Sequence, residues 1–148
     1  MANFSTPQVK MLTKLLARAP RAKGYGNPEK FLLQFVLFEA LIRHVGIYYR
    51  ERVNQKKKPT GQEPLNIEVV RRSLAHFCIQ ISDPLLDNLL DSARTTRNNK
   101  SARNLRNGLA HHWKIEDVKE VETRFATLSS DLLLAIDKIK KRVDSARK

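Results

Sequence analysis

Asn27 to Asn54 reads NPEKFLLQFVLFEALIRHVGIYYRERVN, and the spacing of its apolar residues decides what kind of fold the chain takes. Phe31, Phe35, Phe38, Ile42, Val45 and Tyr49 step by three and four, the period of one face of an α-helix. Asn27 suits the N-cap, Pro28 the first turn, and Glu29 the positive end of the helix dipole. The stretch therefore predicts a helix to about Asn54, packed at the centre of the molecule. Beside the stripe, Glu39 and Arg43 lie four apart and can pair, with Glu39 partly buried. Its most apolar run, Phe31 to Ile42, contains Gln34 and Glu39 and is too short to span a bilayer.

Helical spacing extends outward in both directions. Upstream, Thr6-Pro7 starts a first helix over about residues 6–19, carried by Val9, Leu12, Leu15 and Leu16 and ended by Pro20. Downstream, residues 55–64 hold Lys56, Lys57 and Lys58 with two prolines and a glycine, an exposed loop that is either simply solvated or in touch with phosphates. Asn66 caps another helix with Ile67, Val70, Leu74, Phe77, Cys78 and Ile81 facing inward, and Ser82-Asp83-Pro84 begins the next, with Leu85, Leu86, Leu89 and Leu90. From Val118 through Val143 the apolar residues again recur by threes and fours, which predicts a final helix of about 30 residues. His44 and His76 belong to no local motif and read as boundary or surface residues. The fold class is all-α: an up-and-down bundle of about four to six helices with a long C-terminal helix, one domain over residues 1–148.

The net charge of +13 and sequence pI near 10.2 point to a polyanionic partner, most simply nucleic acid, against the alternative of a basic surface that serves solubility alone. Cys78 is the sole cysteine, so no internal disulfide forms, and its apolar neighbours mark it as a small core residue. Lys14 and Arg18 interrupt the only N-terminal apolar segment, so no signal peptide is expected and a cytoplasmic location is the default.

Chemistry concentrates near Ser101 to Trp113, SARNLRNGLAHHW. Arg94, Arg97, Lys100, Arg103 and Arg106 fall every third residue, interleaved with Asn98, Asn99, Asn104 and Asn107. Thr95 to Asn99 is a poor helix former and reads as a loop, so the cations approach the motif along a flexible segment suited to phosphates, or form a solvated turn. On a helix Asn107 and His111 share a face, while Arg106 starts about 140° round from His111 and must reach to converge. Arg supplies a permanently charged fork of donors, and His gives or takes a proton near neutrality. Gly108 inside a helix costs about 1 kcal/mol against Ala, which leaves two readings: a close packing neighbour, or space at a site. Trp113 reads as core packing, with stacking on a base as the alternative. No Cys or Asp cluster accompanies His111 and His112 at metal-ligand spacing, and no phosphate-binding glycine loop or serine nucleophile motif is present, so no metal or cofactor is expected.

The phrase Leu105-Arg106-Asn107-Gly108-Leu109-Ala110-His111, followed by a turn and a long helix, resembles the HEPN superfamily. Ribonuclease members of that family carry Arg, a polar residue, three or more variable residues and His. The resemblance is sharp over Ser101 to Trp113 and architectural elsewhere. It implies Arg106 and His111 as the catalytic pair with Asn107 beside them, and Glu39 and Arg43 as cleft residues, while the cationic approach itself offers Arg97, Lys100 and Arg103 as RNA contacts. It also implies a homodimer that pairs two motifs, metal-independent cleavage of RNA through its 2′-hydroxyl, and room for a toxin or antiphage role with an inhibitory protein partner. Some HEPN toxins have a modifiable Tyr two residues after the His; Trp113 stands there, so that control does not carry over. The alternatives are a non-catalytic RNA-binding or assembly module and a basic helical interaction protein in which Arg106 and His111 stabilise the dimer.

Overall fold

The computed structural model describes residues 26–53 and 66–146, with the side chains of 51–53 and 143–146 excepted. The expected helix over residues 6–19 and the lysine loop at 55–64 lie outside the described residues. Within them are five helices and no strand: α1 (Asn27–Val53), α2 (Ile67–His76), α3 (Asp83–Leu90), α4 (Ala102–His112) and α5 (Ile115–Ala146). The all-α bundle with a long C-terminal helix is what the apolar periodicity called for.

Helix α1 packs against α2, α4 and α5, most extensively against α5, while α3 bridges α2, α4 and α5. Phe31, Phe35 and Phe38 are fully buried along α1 and meet edge to face or tilted, with centroids 6.2 and 5.8 Å apart. Burial of each such ring contributes about 1.5–3 kcal/mol. Leu132, Ala135 and Ile139 of α5 and Leu105 and Leu109 of α4 close the same core. By length and composition Asn27–Arg50 is long and apolar enough to cross a membrane, which corrects the estimate made from the twelve-residue run alone. In this fold its apolar stripe is the centre of the bundle.

Local caps set the element ends. Asn66 Oδ1 accepts from the backbone N–H groups of Glu68 and Val69 at 2.9 and 3.4 Å, and Ser82 Oγ accepts from Leu85 N–H at 3.4 Å. Helix α2 stops at His76, short of the expected Ile81. Ile79 N–H reaches back to the Leu74 carbonyl at 2.9 Å and Cys78 N–H to Ala75 at 3.0 Å, a Schellman closure around a left-handed Cys78 with φ 59°. That turn seals Ile79 against Leu74 and turns Cys78 out to solvent, so the core role expected of the cysteine is overturned. The side chain of Arg142 then donates from Nε to the Phe77 carbonyl at 3.0 Å, fixing the end of α2 to α5.

Candidate functional site

Helix α4 begins at Ser101, whose Oγ accepts from Asn104 N–H at 3.2 Å, and ends at a left-handed Trp113 with φ 45°. Ala102, Leu105 and Leu109 are buried and define the inward face. At about 100° per residue, the outward face then runs through Arg103, Asn107 and His111, with Arg106 on the flank toward α1 and Gly108 on the flank toward α5.

On the α1 flank, Arg106 Nη2 donates to Glu39 Oε2 at 2.7 Å. The other oxygen of the same carboxylate, Oε1, accepts from Arg43 Nη2 at 2.8 Å and Nε at 3.1 Å. The Arg106 guanidinium carbon also lies 5.2 Å from the centroid of the Phe35 ring, a cation–π contact. These side chains keep 18–29% of their surface exposed, so the cluster sits at a rim rather than in the core. Arg106 Nε is buried and has no hydrogen-bond partner. The structure thus brings Glu39, Arg43 and Arg106 together from two helices, joining an ion pair legible in the sequence to a motif residue 67 positions away.

His111 is exposed, with the His112 ring 6.4 Å away, and among the described residues it makes no hydrogen bond or ion pair. Asn107 is half-buried between Arg106 and His111. Within one chain Arg106 turns toward α1 while His111 projects from the last turn of α4, about 7.5 Å further along the axis. They do not meet in the monomer.

On the α5 flank the reason for Gly108 is plain. A Cβ there would lie 1.8 Å from Asp117 Oδ2 and 2.8 Å from its Cγ, so the close packing neighbour is the correct one of the two readings. Asp117 is 2% exposed, and its Oδ1 accepts from Lys100 Nζ at 2.6 Å. Glu120, also buried, accepts from Asn98 N–H at 2.5 Å and from Arg124 at 3.0 Å, while Arg124 donates to the Lys100 carbonyl at 3.0 Å. Asn104 donates from Nδ2 to the carbonyls of Ser92 and Arg94 at 3.2 and 2.7 Å.

The expected cationic approach is therefore divided. Arg97 is exposed and Arg103 half-buried on the outward face, but Lys100 is committed to Asp117, and Asn104 holds the loop's own backbone. Neither buried acid was singled out in the sequence, where Asp117 is one of two acids at a helix start and Glu120–Arg124 an ordinary spacing of four. Trp113 is 46% exposed, which overturns its expected place in the core. Among the described residues no group of three His, Cys, Asp or Glu side chains is placed to hold a metal ion.

Comparison of the chain with family models, curated proteins and solved structures finds no match to any of them.

Proposed function

We propose that this protein is a metal-independent endoribonuclease of the HEPN type that works as a homodimer. The observation that carries the reading is the layout of α4: a guanidinium held at its rim by a carboxylate, then an amide, then an exposed imidazole without a polar partner, on a strongly basic chain. In the reaction the 2′-oxygen of RNA attacks the adjacent phosphorus as its proton passes to one imidazole. The bond from phosphorus to the 5′-oxygen breaks, and that oxygen takes a proton from a second imidazole. A 2′,3′-cyclic phosphate and a 5′-hydroxyl result. His111 of each subunit fills one proton-transfer role, Arg106 stabilises the charge that grows on the phosphoryl oxygens, and Asn107 orients one of them. DNA resists because it lacks the attacking hydroxyl.

The dimer follows from the resemblance, in which two such motifs pair across a cleft. One chain supplies one copy of the motif, with Arg106 held toward α1 and His111 exposed in the last turn of α4, and a second copy laid against the outward face of α4 would complete the pair. Arg97 and Arg103 then border the groove and hold the backbone on either side. The protein acts in the cytoplasm on cellular or invading RNA, in a toxin or antiphage setting with an inhibitory partner.

One observation favours a second reading. Glu39 already engages Arg106, as it would in a non-catalytic RNA-binding or assembly module whose motif serves structure. Purified protein incubated with structured RNA in excess chelator separates the two. The ribonuclease leaves cyclic-phosphate ends, and His111→Ala reduces cleavage by about 100-fold or more while RNA still quenches the fluorescence of Trp113, the chain's one tryptophan. Quenching without cleavage by the wild type identifies the module instead.

A further inference from the structure

Ala110 to Glu116, the end of α4 and the turn into α5, are seven consecutive exposed residues. They include two large apolar side chains, Trp113 at 46% and Ile115 at 69% exposure. Trp113 takes the left-handed backbone that ends α4, φ 45°, a conformation usually left to Gly or Asn. Its N–H closes the helix on the Leu109 carbonyl at 3.1 Å, while the indole makes no hydrogen bond or ring contact among the described residues. The backbone of the turn is thus fixed and its aromatic surface is unused. Lys114 lies between the two apolar residues and, like Arg97 and Lys119, forms no ion pair among the described residues. Arg97, Lys119 and Ile115 line one groove beside the turn. Lys100 and Arg124 engage the buried acids there, which leaves Glu116 as the remaining carboxylate.

A ligand suited to this tip carries negative charge along its length and presents flat apolar faces. Single-stranded RNA has both, since its unstacked bases are free to lie on an aromatic ring. Duplex RNA is equally anionic but keeps its bases stacked inside. Two side chains supply only a small part of the about 800 Å² that each partner brings to a stable protein interface, yet an indole matches the face of one base. We propose that Trp113 is a stacking platform for a base of single-stranded RNA, and that Arg97, Lys114 and Lys119 hold phosphates of the same strand. Two residues of chain span at most about 7 Å, so the stacked base belongs to a nucleotide close to the linkage that His111 serves. That placement rests on the ribonuclease reading, whereas the platform rests on the exposed indole and its cations.

The test titrates wild type, Trp113→Asn, Trp113→Leu and Trp113→Phe with a single-stranded RNA oligonucleotide, the same strand without its bases, and the duplex, across a range of salt. Helicity, thermal unfolding and oligomeric state are recorded for each. W113N and W113L should weaken single-strand binding about 10-fold and W113F less than about 3-fold, because Phe keeps an aromatic face. The salt slope should stay as it is in all three, whereas Lys114→Gln should flatten it by about 0.7. The base-free strand and the duplex should bind all four proteins alike. Asn accepts the left-handed backbone readily, so W113N carries the test if W113L does not fold.

Unchanged single-strand affinity in W113N overturns the proposal, as does an equal loss for the base-free strand. Dissociation of the W113N oligomer without RNA would make the indole a contact between copies, and a blue shift of its emission on anionic phospholipid vesicles, with no quenching by RNA, would assign it to a lipid surface; either overturns the proposal. If RNA binds in a Trp113-dependent way but no cleaved ends appear, the ribonuclease reading falls and the platform stands. If cleavage depends on His111 and W113N binds as tightly as wild type, the reverse holds.

Discussion

A carboxylate and a cation meet on each flank of helix α4, and the two sides behave differently. Toward α5, Asp117 and Lys100 meet at 2.6 Å with the carboxylate 3% exposed, pressed onto the backbone of Gly108. Toward α1, Glu39 meets Arg106 at 2.7 Å with both near 20% exposure and a second arginine in attendance. The first is charge-balanced and sealed, and contributes to the fold. The second is partly exposed and lies at the rim of the bundle. Burial, not the presence of an ion pair, distinguishes the two flanks.

The contrast breaks most readily at Lys100. Lys100→Met leaves the Asp117 carboxylate buried without its partner and should destabilise the protein by about 3 kcal/mol in urea unfolding, whereas Arg43→Met should cost at most about 1 kcal/mol. Equal losses would erase the distinction between the flanks. Gly108→Ala comes next. The new methyl collides with Asp117, and although Ala is the better helix former by about 1 kcal/mol, a net loss of about 1–2 kcal/mol is expected. The loss should shrink in an Asp117→Ala background, and additive losses would mean that the two residues do not act through each other.

The smallest effect concerns His44 on α1, one residue beyond Arg43. Burial lowers its pKa below the usual imidazole range, so the unfolded chain takes up its proton first as pH falls. The neutral ring is fully tolerated above the unfolded value and becomes a liability as pH drops below it. Unfolding of the wild type and His44→Gln, compared between pH 7 and pH 5, should show the variant gaining relative stability toward acid. A constant difference across that range would remove His44 from the pH response.

Much of the fold was legible because apolar spacing is a local signal that burial then enforces. The stripe from Phe31 to Val45 marked the central helix, and Asn66 and Ser82 sit where the backbone donors of new helices need an oxygen. Where the reading missed, a local signal had the wrong cause attached. Cys78 sits among apolar residues and Trp113 is itself large and apolar, yet both take left-handed backbone conformations at helix ends and are exposed. Lys100 looked like one more cation in a basic run until a buried acid 17 residues later claimed it.

The amino-acid order by itself determined the helices, the strong positive charge and the grouping of Arg106, Asn107 and His111 on one short element, because each depends on neighbours within a few turns. Only tertiary structure decided which charges are spent and which remain. Glu39 reaches Arg106, and Asp117 occupies the space left by Gly108, through contacts between helices that no spacing rule reports, since an ion pair takes its strength from the dielectric and burial around it.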